Sequence, residues 1–532
     1  MVRVLYHIVR ADFLERVRRY NFLVSLVVLI VLVYVYLPPA DASYVTFSVG
    51  SVAEGNTGYR GIYNSAWVGS IVATLTTIFL SLIGFFLLKN TVERDIETGV
   101  GQILATTPLS KTAYTVGKWL SNSAVIGVMI SVTIVVAFVM QLIRGEDRSI
   151  DIWALVAPFL LLTVPALLVT AALAVVFETV RFLRGGLGSI IYFMLWITVF
   201  SLSTLVHTPL VDLIGMGVLV PDIEAGVQAA VPGFTGSGVA TGIVVIDGSL
   251  LTFVWDGLTW SAASMLWRLE WVLVAIALAL FAALPFNRFD TTQVPRRNKN
   301  SQPSEAPPIP VALEQPVVAL TARLTLSSVQ PARSVFSRVL GAELRLLLKA
   351  APPWWFLGLA ALVVGALLAP LQLSRHYLAA ASLIWPILMW SSMGGREQTY
   401  RTEQVVFSAA FPLRRQLPAA WIAGVIVALV AISGVLVRLL LAGDIAGMLA
   451  LVVGALFVPA LALATGVWSG GGKVFQVVYL LLWYVGVLQG LRWLDFAGVT
   501  VENAAVAAPV YLSATLVLLA LSALGRQQQC SK

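Results

Sequence analysis

Long, continuously apolar runs separated by short charged stretches set the pattern of this chain. They lie near residues 22–37, 66–88, 120–142, 152–176, 187–206 and 271–286, and again near 354–373, 377–393, 417–441, 446–468, 474–491 and 504–524. A bilayer hydrocarbon core is about 30 Å thick and takes roughly 20 apolar residues per helical crossing. Strands that cross a membrane alternate apolar and polar positions over about ten residues, which these runs do not do, so helices are expected and a barrel is not. The pattern predicts an all-α polytopic membrane protein of about twelve transmembrane helices.

Two segments punctuate the runs. Ahead of the first, Leu5, Val9, Phe13 and Val17 recur every four residues in an arginine-rich stretch, as on one face of an interfacial helix. Phe22 to Leu37 followed by Ala40-Asp41-Ala42 imitates a signal peptide with its cleavage site, but the long patterned segment before it argues for a first span. Between the sixth and seventh runs, Pro303, Pro307, Pro308, Pro310 and Pro316 stand among small and polar residues, a composition that cannot bury enough apolar surface to fold alone. The expected organisation is a first six-helix unit over 1–290 with an external loop at 207–270, a cytoplasmic proline-rich linker over 291–332, and a second six-helix unit over 333–532.

Composition agrees: 59% of the 532 residues are hydrophobic and 11% charged, with a mean hydropathy of +0.90, far from the balance of a soluble domain. Assigning the loops alternately to the two sides puts 27 of the 34 lysines and arginines with the termini and 7 opposite, while the 26 acidic residues divide 12 to 14. Cytoplasmic loops hold the excess of positive charge, so both termini are expected inside. This asymmetry accounts for the basic balance without nucleic acid. The single cysteine, Cys530, excludes an intrachain disulfide. His7, His207 and His376 are scattered and suggest no metal site. No Gly-x-Ser-x-Gly and no carboxylate pair on one face within a span is present, so the chain is not expected to be an enzyme.

The two halves repeat one another. Glu93, Thr98, Ala105, Pro108, Leu109 and Lys111 match Glu397, Thr402, Ala409, Pro412, Leu413 and Arg415 at a constant offset of 304, and Tyr192 and Trp196 match Tyr479 and Trp483 at 287. Both units begin inside, so the expectation is two parallel six-helix repeats. In the first loop, Ile96, Val100, Ile103 and Leu104 are spaced for one face of a helix that Pro108 ends. Glu93, Arg94, Asp95 and Glu97 would lie on the opposite side and face the cytosol. On the residues alone, an ordinary charged loop with a proline reads equally well.

The run Glu93-Arg94-Asp95-Ile96-Glu97-Thr98-Gly99 followed by Thr106-Thr107-Pro108-Leu109-Ser110 resembles the corresponding loop of ABC-2 type permeases, and the resemblance extends over essentially the whole chain. It implies the permease of an ATP-binding cassette transporter, usually an exporter, in which this loop docks on a cytosolic ATP-binding subunit, expected in two copies. ATP and Mg would sit on that partner, with no cofactor on this chain. The implied contact residues are Glu93, Arg94, Asp95, Glu97, Thr98, Gln102, Pro108 and Leu109, with Glu397, Arg401, Pro412 and Arg415 as a weaker second set. The second set is weaker because Gln398, Thr399 and Glu403 stand where Arg94, Asp95 and Gly99 stand in the first half. The setting is a multi-pass protein in the bilayer of a prokaryotic plasma membrane.

The chain has no phosphate-binding loop of its own. Gly470-Gly471-Gly472-Lys473 comes nearest, but Val474 replaces the hydroxyl residue needed for magnesium. An ion-coupled secondary transporter and a non-transporting membrane scaffold are the alternatives. The first is disfavoured because ion coupling commonly uses ionisable residues within spans, and Glu178 and Arg438 fall only at helix ends. The acidic external loop, with Trp255, Trp260 and Trp267, suits either a gate at the exit or ordinary interface anchors.

Overall fold

The computed structural model describes residues 2–50, 57–184, 186–205, 211–231, 234, 238–246, 248–286, 332–349, 351–408, 412–488, 493–499 and 501–530. Most of the linker expected at 291–332 lies outside them. The chain forms two compact units, Met1–Arg296 and Arg297–Lys532.

In the first unit, α1 (Val2–Val17) turns through 70° into α2 (Tyr20–Tyr36). Two strands follow, β1 (Tyr44–Val49) and β2 (Thr57–Gly61), then α3 (Ser65–Leu88), the short α4 (Thr91–Glu97) and α5 (Val100–Thr106), and the long α6 (Lys111–Arg144). Next come α7 (Ile152–Pro158) and α8 (Val164–Thr179), joined by a π-helical turn over Phe159–Thr163, and then α9 (Gly186–Leu205). The π turn falls where Pro158 and Pro165 interrupt the hydrogen-bond ladder. Within this turn the Thr163 hydroxyl donates to Ala73 O at 3.2 Å on α3. The unit ends with α10 (Met216–Ala230), β3 (Val239–Val245), β4 (Ser249–Phe253) and α11 (Ala262–Phe281).

The buried centre is α3, covered along nearly its whole length. Its small residues allow close approach: a Cβ on Gly69 would stand 2.5 Å from Leu155 O. By contrast α2 exposes Leu23, Val27 and Val31 along one stripe, as a helix facing lipid does.

The four strands form one sheet in the order β3-β1-β2-β4, which the expectation of helices alone did not include. They come from the two segments outside the spans that follow α2 and α10, so the membrane part stays helical. Trp67, near the start of α3, packs edge-on to Phe47, Phe253 and Trp255. Trp255 is therefore a core residue of this cap, its indole N–H bound to Asp222 at 3.0 Å. The sixth helix also starts at Ala262 rather than 271 and brings in Arg268, buried against Asp212 at 2.6 Å.

In the second unit, α12 (Ala332–Lys349) precedes α13 (Pro353–Leu368), bent by 98° from it. Then come α14 (Leu371–Leu373), a π turn over Ser374–Leu378, α15 (Ala379–Ile384), α16 (Ile387–Trp390), and the short α17 (Arg396–Thr399) and α18 (Glu403–Phe407). The long helices α19 (Pro412–Leu441) and α20 (Ile445–Ser469) follow, then α21 (Lys473–Leu482) running into a π turn over Trp483–Leu488, and last α22 (Val501–Cys530).

Among the described residues, eight helices are long and apolar enough to cross a membrane, or ten if each bent pair counts as one span. The chain is thus a mostly helical, polytopic membrane protein. The crossings expected at 377–393 and 474–491 correspond to shorter pieces. The first is broken at Trp385–Pro386, and the second is a single apolar helical stretch over Lys473–Leu488.

The units repeat their packing. Tyr192 OH donates to Ser81 O at 2.6 Å and Trp196 Nε1 to Ser81 Oγ at 2.8 Å. In the second unit Tyr479 OH donates to Leu383 O at 2.7 Å and Trp483 Nε1 to Ala380 O at 2.8 Å. These are the pairs related by the offset of 287.

Candidate functional site

The loop between α3 and α6 is built as two short helices around a left-handed residue. Asn90 leaves α3 with φ 88°, and α4 then begins against Glu178 at the end of α8. The Glu178 carboxylate accepts the backbone N–H of Asn90, Thr91 and Val92, groups that the start of a helix leaves without partners. Gly99, at φ 76°, turns the chain between α4 and α5. Ser110 caps α6 by accepting Ala113 N–H at 3.1 Å. The single amphipathic helix expected from Ile96, Val100, Ile103 and Leu104 is therefore broken at Thr98–Gly99.

The faces also differ from the expectation. Ile96, Val100 and Ile103 are exposed, Ile103 at 67%. Leu104 and Leu109 pack on Val92, Tyr114 and Phe286. Arg94 and Asp95 do not face outward, their side chains being 15% and 8% exposed. Both point inward because buried partners of opposite charge await them on α1 and α6. Glu93, Thr98, Gln102 and Pro108 are exposed, the Thr98 hydroxyl donating to Arg94 O at 2.9 Å. The side chain of Glu97 lies outside the described residues.

Behind the loop is a cluster of charges. Asp12 on α1 binds Arg16 at 2.8 Å, Arg94 at 2.9 Å and Lys118 at 2.9 Å. Lys118 also binds Asp95 at 2.9 Å, and Asp95 accepts Tyr114 OH at 2.7 Å. Arg94 reaches Glu15 at 2.8 Å, and Arg16 donates to Asn122 Oδ1 at 2.5 Å. Burial pushes the Asp12 carboxyl up, but Arg16 and Lys118 outweigh it and hold the group at about 2. Asp12 thus joins α1, α4 and α6 through one carboxylate.

The second unit has a counterpart. Gly394 takes φ 77° and Arg401 φ 53°, the latter a left-handed arginine between α17 and α18. Arg396 binds Glu343 on α12 at 3.3 Å. Glu397 is buried, accepts Gln416 Nε2 at 2.6 Å, and binds Arg526 on α22 at 3.2 Å. Arg526 also lies over the Phe407 ring, 4.8 Å from its centre.

These contacts correct the register of the repeat. Arg94 and Arg396 each bind an acid on the helix that opens their unit. Asp95 and Glu397 each accept from the residue nineteen positions on. Gly99 and Arg401 are the left-handed residues between the short helices. Trp119 Nε1 donates to Leu168 O at 3.1 Å and Trp421 Nε1 to Leu456 O at 3.2 Å. Arg94 and Arg396, Asp95 and Glu397, Gly99 and Arg401, and Trp119 and Trp421 are each 302 apart, not 304, and α4 has seven residues to the four of α17, the difference lying at the start. The second loop therefore keeps the Arg–acid pair, which the offset of 304 had replaced with Gln398 and Thr399.

Of the second set of sequence candidates, Glu397 is buried, Arg401 exposed and Arg415 half-buried. The Pro412 side chain and Ala409 lie outside the described residues. The sequence reading missed Asp12, Lys118, Tyr114, Glu343, Arg396, Gln416 and Arg526. Asp12 and Arg16, one helical turn apart in an apolar-patterned segment, were the available signal.

Residues 6–209 match the family model described as ABC-2 family transporter protein. That span takes in α1 through α9 and the whole of the first loop with its charge cluster. No curated protein and no solved structure matches the chain. Over residues 6–209 the chain is similar to the ABC-2 family of transporter proteins.

Proposed function

We propose that this chain is the permease of an ATP-driven exporter, whose ATP is hydrolysed with Mg on a separate cytosolic ATP-binding subunit present in two copies. In this reading both termini are cytoplasmic, the chain crosses a prokaryotic plasma membrane twelve times, and its two six-helix units run parallel. The family supports the permease, and the excess of positive charge on one side supports the orientation.

The observation that carries the coupling role is the contrast across the first loop. Its outer side exposes Ile96, Val100 and Ile103 beside Glu93 and Gln102, an apolar centre with a polar rim of the kind a protein partner covers. Its inner side is tied by Arg94 and Asp95 to α1 and α6. A partner pressing on the outer side would move α4, and the Asp12 cluster would carry that displacement to both helices. Arg94 and Asp95 are then positioning residues, and Glu93, Ile96, Gln102 and Ile103 make the contact, with Pro108 fixing the exit of the loop. Arg401, Gln404 and Val405, at the positions of Gly99, Gln102 and Ile103, are exposed on the corresponding side in the second unit.

The test is affinity purification of the tagged chain from its native membrane with assay of the complex for ATP hydrolysis. Ile96→Glu combined with Ile103→Glu alters only exposed side chains, so it is expected to leave the chain folded and remove the ATPase. If the variant retains the ATPase at the wild-type ratio, or the wild type brings none, this reading is wrong.

A further inference from the structure

We propose that the elbow between α1 and α2 holds the phosphate of an anionic phospholipid. The elbow encloses a cavity of about 110 Å³. Its wall carries Arg16, Arg19, Lys89 and Arg94, and no carboxylate is among the described residues that line it. The floor is apolar, formed by Phe22, Leu88 and Val125. Four cations over an apolar floor match a phosphate joined to an acyl chain.

Place and size narrow the occupant. The cavity lies where α2 begins and α3 ends, at the depth of the headgroups for helices that cross the bilayer. The space is large enough for a small oxyanion in place of ordered water. From the elbow, Leu23, Val27 and Val31 run exposed along α2, an apolar track one helical turn per step for the acyl chain. Basic pockets between membrane helices bind anionic headgroups in this way.

Electrostatics selects the headgroup. Asp12 and Glu15 stand behind the wall, and each is already shared among arginines, with Lys118 also on Asp12. The ammonium of a zwitterionic lipid would meet four cations in the wall beside the neutral Asn90 and Thr91, whose N–H groups already hold the Glu178 carboxylate. Arg19 and Glu15 form an exposed pair, both 49% accessible, and such a pair is worth little, so Arg19 turns to a phosphate at small cost. Lys89, just after α3, donates to Ser189 Oγ at 3.2 Å and lines the cavity with Arg19. Which leaflet supplies the lipid rests on the orientation proposed above, but the preference for an anionic headgroup does not.

Native mass spectrometry of the purified full chain, titrated separately with phosphatidylglycerol, phosphatidylethanolamine and phosphatidylcholine, tests the site. The wild type is expected to hold phosphatidylglycerol in preference to the other two. Arg19→Ala is expected to weaken that binding about fivefold, the effect of about 1 kcal/mol per cation at an anionic surface. Adding Lys89→Ala should weaken it further, while Lys89→Arg should restore most of the loss. Equal retention of the three lipids, or unchanged phosphatidylglycerol binding in Arg19→Ala, would overturn the proposal. Displacement of the lipid by millimolar inorganic phosphate would also overturn it, by showing a site for the free anion.

Discussion

The loops of the two units share a plan and differ in how they are anchored. In the first unit one carboxylate, Asp12, gathers Arg16, Arg94 and Lys118, so α1, α4 and α6 meet at a single point. In the second, Glu343 meets Arg396, and Ala420 stands where Lys118 stands in the first. The missing cation is supplied from elsewhere: Arg526 on α22 binds Glu397. Glu178, which holds the start of α4, has no acidic counterpart in the glycine turn Gly470–Gly472, where a Cβ on Gly472 would collide with Ser391 O. A repeat can keep a geometry while exchanging some of the groups that enforce it: the Arg–acid pair stays, while Lys118 and Glu178 are replaced. What persists is the connection of a short loop helix to the helix that opens the unit.

The largest expected difference lies in the acids at the centre of each cluster. Asp12→Ala leaves Arg16 without its ion pair and takes from Arg94 and Lys118 one of their two carboxylates, and breaking a buried ionic cluster from one side costs about 3–5 kcal/mol. Glu343→Ala removes one ion pair and is expected to cost about 2 kcal/mol. Thermal unfolding of the two purified variants measures both, and equal losses would remove the distinction drawn between the loops.

Acid should separate the clusters next. Asp12 is held at about 2 against an ordinary 3.8, so its contribution is complete above about pH 4 and is lost only as pH falls through its folded value. Glu343 goes the other way: burial raises its carboxyl, and Arg396 offsets this only in part. The folded state then binds the proton more tightly than the unfolded state, and stability is lost as pH rises through the folded value. Above the ordinary 4.5 of a glutamate, Glu343→Gln is expected to flatten part of the dependence of thermal unfolding on pH, whereas Asp12→Asn changes stability there without changing that slope. An unchanged slope in Glu343→Gln contradicts the assignment.

The smallest effect belongs to the turn between the short helices. Gly99→Ala places a side chain at φ 76° and is expected to destabilise by about 1 kcal/mol. Arg401→Gly relieves a left-handed arginine at φ 53° and is expected to stabilise by up to about 1 kcal/mol, reduced by the extra freedom glycine gives the unfolded chain. Changes of the same sign in the two variants would mean that the turns are not equivalent.

Much of the architecture was legible along the chain because bilayer solvation acts on each segment separately. A run such as 446–468 has to be a helix whatever its neighbours do, since its backbone groups find no other partners in hydrocarbon. The Tyr192–Trp196 and Tyr479–Trp483 pairs could likewise be matched by their letters. The candidate site was legible as a place and not as an arrangement. Glu93, Gln102 and Pro108 were found on the outside, while Arg94 and Asp95 were expected there and are turned in. A charged residue in a loop takes the side on which its partner stands, and Asp12 and Lys118 come from helices distant in sequence.

The sequence by itself therefore determined most of the long apolar helices and the place of the loop between α3 and α6, because hydrophobic run length and loop charge are local quantities. Tertiary structure alone decided which loop charges are buried, that the repeat runs at 302 through the short helices, and that strands from two distant segments cap the first unit. Each of these depends on pairing between residues far apart along the chain, where the free energy of burying an ion or extending a sheet is settled by the partner and not by the residue itself.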